Sequence, residues 1–227
     1  MDLTAGAVIT TIRHVNMMVR RIVMRSVMYY FVKRAFDVII SLLLIIILLP
    51  FFIVISLFVC LGSKGGPFFR HYRIGKNGRV IYIYKFRTMV PHAEEMIKDF
   101  TPEQKKEWEE NFKLKNDPRV TRIGRILRAT SLDELPQLFN ILKGDMSFVG
   151  PRPVIESELE WYGENRDKFL SVTPGLTGWW ACHGRSCVHY PERCSLELYY
   201  VDHASVLLDI RIILRTFVSV FRRSGAV

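Results

Sequence analysis

The chain has 227 residues, 49% of them hydrophobic and 24% charged, with 14 Gly, 10 Pro and 4 Cys. That composition excludes a disordered, collagenous or disulfide-scaffold protein and leaves room for one or two domains. Against 22 acidic residues stand 32 Lys and Arg, and the net charge of +10 calls for an anionic partner, either nucleic acid or the phosphates of a membrane surface.

Residues 1–32 carry Arg13, His14, Arg20, Arg21 and Arg25 among Ile, Val and Met, with no acid after Asp2. They read as a basic membrane-surface segment, with an unstructured tail as the alternative. From Val38 to Leu61 there is no charge at all. As a helix this run extends about 36 Å, enough for a hydrocarbon core of roughly 30 Å. It starts too far into the chain for a cleaved leader and lacks a small-residue cleavage site. Two features argue against a straight span. Pro50 sits near its middle, where it removes the amide that would bond the Ile46 carbonyl and crowds that turn. Basic residues flank both ends, Lys33 and Arg34 before and Lys64, Arg70, Arg73 and Lys76 after, so the charge asymmetry of a crossing helix is missing. A re-entrant hairpin over 33–64, broken at Pro50 and returning to the face it entered, satisfies both features.

Residues 65–203 supply enough chain for one compact domain. Arg79–Met89 alternates apolar and polar positions and is rich in β-branched and aromatic residues, so it reads as a strand with Lys85 and Arg87 on one face. Ala93–Lys115 is charged and helix-favouring, with a break at Thr101-Pro102, and Thr121–Ala129 reads as a short basic helix. Next comes Ser131-Leu132-Asp133-Glu134-Leu135-Pro136-Gln137-Leu138-Phe139-Asn140. Ser131 and Glu134 have capping-box spacing, and Pro136 suits a first helical turn. Asp133 and Glu134 are therefore either simple first-turn acids or chemistry.

The surroundings favour chemistry. Arg119, Arg122, Arg125 and Arg128 precede the pair, and Lys143, Arg152 and Arg185 follow it, separated by the rigid turns 144–153 and 173–180. Guanidinium forks match phosphate oxygens, and an adjacent acid pair among them suggests a carboxylate–metal–phosphate site. One acid can attack phosphorus while the other holds Mg²⁺. Nearby cations are expected to make these acids easy to ionise.

In Val206–Arg223, Arg211, Arg215 and Arg222 recur at helical spacing opposite Leu207, Ile210, Ile213, Leu214, Phe217, Val220 and Phe221. Residues 204–227 thus read as an amphipathic interfacial helix and tail. Cys182, Cys187 and Cys194 with His183 and His189 lack any common zinc spacing and read as structural, and His203 reads as a contact that holds the fold. No nucleic-acid recognition motif appears, so nucleic acid is set aside as a partner. Adjacent acids are also poorly placed to flank a sugar ring from two sides, as a glycosidase requires.

These residues resemble a known family, the bacterial sugar transferases that are monotopic polyprenyl-phosphate phosphoglycosyl transferases. The likeness runs through Lys33-Arg34-Ala35-Phe36-Asp37, the Pro50 helix, Tyr84–Met89, Asp117–Thr121, Thr130–Asn140, Leu142–Pro153, Thr173–Trp179 and Leu198-Tyr199-Tyr200. The resemblance implies a mostly helical α+β fold: a re-entrant membrane hairpin carrying a small catalytic domain with amphipathic interfacial helices, on the cytoplasmic face of the bacterial inner membrane. It implies transfer of a sugar-1-phosphate from a UDP-sugar to undecaprenyl phosphate, with release of UMP. Asp133 would be the nucleophile and Glu134 a Mg²⁺ ligand, with Asp133 also near the metal. Lys85, Arg87, Arg119, Arg128, Arg152 and Arg185 would handle phosphates. Membrane lipid is a further implied partner, and a homodimer is left open. Two departures stand out: Leu49 precedes the helix-breaking proline where members carry serine, and Gly178-Trp179-Trp180-Ala181-Cys182-His183 replaces Gly-Trp-Ala-Gln-Val-Asn. With no multi-span extension ahead of the helix, the chain is expected to group with the small forms.

Overall fold

The computed structural model describes residues 3–111, 114, 116–184 and 188–221, with backbone alone for 3–26, 109–111 and 219–221. Helix α1 spans Leu3–Gly62, 60 residues that run as one helix through Pro50, so the break expected at that proline does not interrupt it. Its Val27–Gly62 portion is long and apolar enough to cross a membrane by length and composition. The basic side chains of the first 26 residues lie outside the described side chains. A two-stranded antiparallel hairpin follows, β1 (Phe68–Ile74) and β2 (Val80–Phe86), with Phe69 opposite Lys85 and Tyr72 opposite Tyr82. After it come α2 (Pro102–Asn111), α3 (Arg122–Thr130) and α4 (Gln137–Lys143). Short β3 (Ser147–Val149) and β4 (Gly175–Thr177) pair in parallel around the small helices α5 (Glu156–Leu159) and α6 (Arg166–Leu170). The described chain closes with α7 (Glu192–His203) and α8 (Val206–Phe221). The fold is α+β and mostly helical.

The domain packs along α1 rather than hanging from one end of it. Asp37, Ser41, Phe52 and Val59 are buried on one stripe of the helix, with Leu44, Ile45, Leu48 and Ile55 partly covered between them. That three-to-four spacing is one helical face. It meets Ile81, Ile83, Leu138, Ile141 and Met146 at one level and Phe86 and Leu127 at another. The opposite stripe, including Ile39, Ile46, Phe51, Ile53 and Leu61, is exposed along the same length.

Polar fasteners fix this arrangement. Arg34 donates to the carbonyls of Ile141 and Leu142 at 2.7 and 2.8 Å, closing the C-terminal end of α4. Asp37 accepts the Phe148 amide at 3.0 Å, and Lys33 pairs with Asp209 of α8 at 2.7 Å. The Lys33-Arg34-Asp37 part of the sequence block is thus structural, bolting α1 to α8, α4 and β3. Asn140, fully buried, accepts the Tyr84 amide at 2.9 Å and donates to the Tyr82 carbonyl at 2.7 Å. Its side chain behaves like a strand edge, and α4 thereby holds β2 in place.

Two sequence expectations are corrected here. Ser131 and Glu134 form no capping box: Ser131 closes α3 in the left-handed region at φ 56°, where its side chain makes no cap bond. Residues 132–134 then make a 3-10 turn, and α4 begins only at Gln137, behind Pro136. The second correction concerns β2, which ends at Phe86, so Lys85 and Arg87 do not share a strand face.

Candidate active site

A cleft with about 530 Å³ of open volume lies between the hairpin, the acid turn and the β3–β4 pair. Lys85 of β2 and Glu134 of the 3-10 turn line one wall and pair at 2.7 Å, both partly exposed. His71 and Arg73 enter from β1, Arg152 from the loop after β3, and Glu197 from α7. Gly150, Gly175 and Gly178 line the side where β3 and β4 meet. These glycines are required by backbone proximity: a Cβ at Gly175 or Gly178 would overlap backbone atoms of Gly150.

Asp133 adjoins the cleft through Glu134 and Lys85 rather than lining it, and it is only 8% exposed. Burial pushes its carboxyl above the ordinary range, with Glu134 adding to the shift while Lys85 and Arg128 oppose it. The expectation of easy ionisation is therefore reversed, because desolvation outweighs the two cations. Arg128 is half-buried beside Asp133 and donates its Nε to Thr88 Oγ1 at 3.0 Å. Gly124 makes that fit possible, since a Cβ there would overlap the Thr88 carbonyl.

The other sequence candidates divide. Arg152 is exposed in the cleft, with its guanidinium 5.7 Å from the centre of the Trp180 ring. Arg87 lies over Gly65 at the end of α1, outside the cleft lining. Arg119 is 3% exposed, forked onto Asp117 at 2.7 and 2.8 Å, and packed against Phe100 and Trp108. Burial works against ionisation of Asp117, yet these bonds hold its carboxyl below the ordinary range. Arg119 is thus committed to the fold and has no path to a phosphate in the cleft. Arg185 lies outside the described residues. Cys194 is buried in the core, and His183 has both ring nitrogens engaged, by the Trp179 carbonyl at 2.7 Å and Arg215 at 2.7 Å. Among the described residues no cluster of three or more His, Cys, Asp or Glu is placed to hold a metal. His203 bonds the Tyr199 carbonyl and stacks on that ring, a contact within α7.

Sequence reasoning missed His71, Arg73 and Glu197, and named Trp180 only as part of the divergent loop that starts at Gly178. Arg73 was visible only as a flanking charge; it donates to His71 Nε2 at 2.6 Å. Burial and the neighbouring cations hold His71 down to about 4, so at neutral pH it is an uncharged acceptor. Burial and Arg152 lower Arg73 to about 10, which leaves it charged. Glu197 is 1% exposed, and burial raises its carboxyl to about 7 against the pull of Arg193 and Arg152. The available signal was Arg193 four residues before Glu197, a spacing that puts both on one helix face.

The cleft therefore gathers Glu134, a lysine and two arginines, with Asp133 buried beside it, a set suited to a phosphate ester bearing a transferable group. Comparison with known proteins agrees with that chemistry. The chain is 46% identical over 200 residues to an undecaprenyl-phosphate galactose phosphotransferase of Salmonella typhimurium, covering 86% of this chain but 42% of that protein. It is 43% identical over 197 residues to the exopolysaccharide production protein ExoY of Sinorhizobium fredii, covering 86% and 87%. A UDP-N-acetylgalactosamine-undecaprenyl-phosphate N-acetylgalactosaminephosphotransferase of Aeromonas hydrophila is 31% identical over 207 residues, 88% of this chain and 46% of that one. The chain thus spans less than half of two of these relatives and most of the third. The model of the bacterial sugar transferases matches residues 28–223, and the chain belongs to that family.

Proposed function

We propose that this chain transfers a sugar-1-phosphate from a UDP-sugar to undecaprenyl phosphate and releases UMP, as a membrane step in exopolysaccharide or other glycoconjugate assembly. The observation that carries the reading is Asp133-Glu134 against Lys85 at the wall of a cleft that also holds Arg73 and Arg152. Arg73, Arg152 and Lys85 take the donor's phosphates. A carboxylate oxygen of Asp133 bonds to the sugar-bearing phosphorus, and the bond from that phosphorus to the UMP oxygen breaks. A phosphate oxygen of undecaprenyl phosphate then attacks the same phosphorus, and the acyl-phosphate bond breaks to restore the carboxylate. Dividing the reaction this way lets a soluble donor and a lipid acceptor use one small site in turn.

Mg²⁺ fits this site: one or two carboxylates with substrate phosphates and waters suffice for it, and Asp133 and Glu134 are hard oxygen donors side by side. When bound it would offset charge on the phosphates being parted. Arg128, bonded to Thr88, keeps a positive charge beside the Asp133 carboxylate.

The membrane placement we propose is re-entrant, with catalysis on the cytoplasmic face. A helix crossing the bilayer would leave its domain at one end, yet this domain contacts α1 from Lys33 to Val59. The exposed stripe of α1 and the exposed Leu207, Ile210, Leu214 and Phe217 of α8 are the surfaces for lipid. Such placement sets the cleft where a lipid-linked phosphate lies. The test is a panel of UDP-sugars offered to the purified chain in detergent with Mg²⁺ and undecaprenyl phosphate. One or a few donors should yield UMP, and chelation should stop it. No UMP from any donor would overturn the reading.

A further inference from the structure

Phosphates present only acceptors, and Lys85, Arg73 and Arg152 answer them. A sugar also presents hydroxyl donors, and these need acceptors that the cations cannot supply. Among the carboxylates lining the cleft, Glu134 gives Oε1 to Lys85. Glu197 is placed differently. Its Oε1 accepts the Arg152 backbone N–H at 3.1 Å, which fixes the orientation of the group. Its Oε2 is buried and meets no donor.

The supporting shell is rigid. Glu197 lies on α7, which is anchored through Tyr200, 2% exposed, whose hydroxyl donates to Asp209 at 2.7 Å. Arg193, one turn earlier, stacks 4.5 Å from the centre of the Trp180 ring, and Trp180 itself lines the cleft. In front of Glu197 the lining is glycine. A Cβ at Gly178 would stand 3.8 Å from Oε2, and Gly150 and Gly175 likewise contribute no side chain at this wall. Burying a carboxylate oxygen without a partner is costly; Arg193 and the Tyr162 hydroxyl face the same group without bonding it, so the acceptor of this cleft-lining residue is left for another donor.

We infer that Glu197 is the residue by which this cleft reads its sugar: Oε2 accepts a hydrogen bond from one ring hydroxyl and so determines which sugars are turned over. The inference rests on the phosphoglycosyl transfer reading and assigns the carbohydrate end of the donor to the Gly178–Trp180–Glu197 side of the cleft. A site built to bond a hydroxyl rejects the analogue lacking it, because its own polar atom is then left unpaired.

The experiment uses the full chain in detergent, first to find the accepted UDP-sugar, then to compare that donor with each of its monodeoxy analogues by UMP release. For the wild type, removing one particular hydroxyl should lower kcat/KM about 10- to 100-fold. In Glu197→Gln the intact donor should lose activity by a similar factor, and deleting that same hydroxyl should then matter little. Equal turnover of all monodeoxy donors by the wild type overturns the inference without recourse to any variant. So does a Glu197→Gln protein that keeps the wild-type discrimination. Absence of UMP release from every donor removes the transferase reading and this inference with it, whereas release with flat discrimination removes this inference alone.

Discussion

Asp133 and Glu197 are two buried acids held in unlike ways, and each leads to a different measurement. Glu197 has a folded-state value of about 7, above its ordinary 4.5, because burial outweighs Arg193 and Arg152. Tyr162 also faces it and is uncharged at neutral pH. A raised carboxyl holds its proton in the folded state after the unfolded chain has lost it. Stability from this group is therefore greatest below about pH 4.5, falls as pH rises towards 7, and is flat beyond. Glu197→Gln removes that slope. Melting followed from pH 5 to pH 8 should show the variant gaining on the wild type by up to about 3 kcal/mol, and parallel curves would contradict the burial argument. The arginines separate as clearly. Arg119→Leu strands the buried Asp117 carboxylate and should cost about 3 kcal/mol of stability. Arg152→Ala should leave melting nearly unchanged and weaken donor use, read as a rise in KM or a fall in kcat. Sequence alone grouped these two residues, since both are arginines in basic surroundings; only the fork onto Asp117 and the cover from Phe100 and Trp108 tell them apart.

At the scale of elements, the Lys85 wall of the cleft depends on β2 being held by α4. Asn140→Ala deletes two buried hydrogen bonds to the backbone of Tyr82 and Tyr84 and leaves that amide and carbonyl unsatisfied. A loss of about 2–4 kcal/mol in detergent melting is expected. Activity should fall with it, because Lys85 follows Tyr84 on the same strand. Much at this scale was legible. The alternating run 79–89 contains β2, α2 starts at the Thr101-Pro102 break, and the basic run at 121–129 covers all of α3 but its last residue. What failed was local chemistry decided by neighbours. The Ser-x-x-Glu pattern assumes a helix starting at Ser131, but that residue is spent ending α3 in a left-handed turn. The β1 contribution was also hidden, because no pattern in Phe68–Ile74 says which face of the hairpin meets a loop more than 70 residues later.

For the whole molecule, the long apolar run was plain in the sequence, while its relation to the domain was not. Pro50 and the flanking charges suggested a hairpin; the buried stripe from Asp37 to Val59 adds that the domain rides along the helix. Single cysteines at Met28 and Lys64, in a background with the native cysteines replaced, should both be labelled from the cytoplasmic side of oriented vesicles. Labelling from opposite sides would make α1 a crossing helix. The central claim is narrower: Asp133 carries the sugar phosphate between two substrates. Its most direct test is mass spectrometry of the intact chain after incubation with the accepted UDP-sugar and Mg²⁺, without undecaprenyl phosphate. The account predicts a mass gain of one sugar phosphate, mapped to the peptide containing Asp133, absent in Asp133→Asn and discharged when undecaprenyl phosphate is added. Full turnover by Asp133→Asn, or an adduct on another residue, would contradict it.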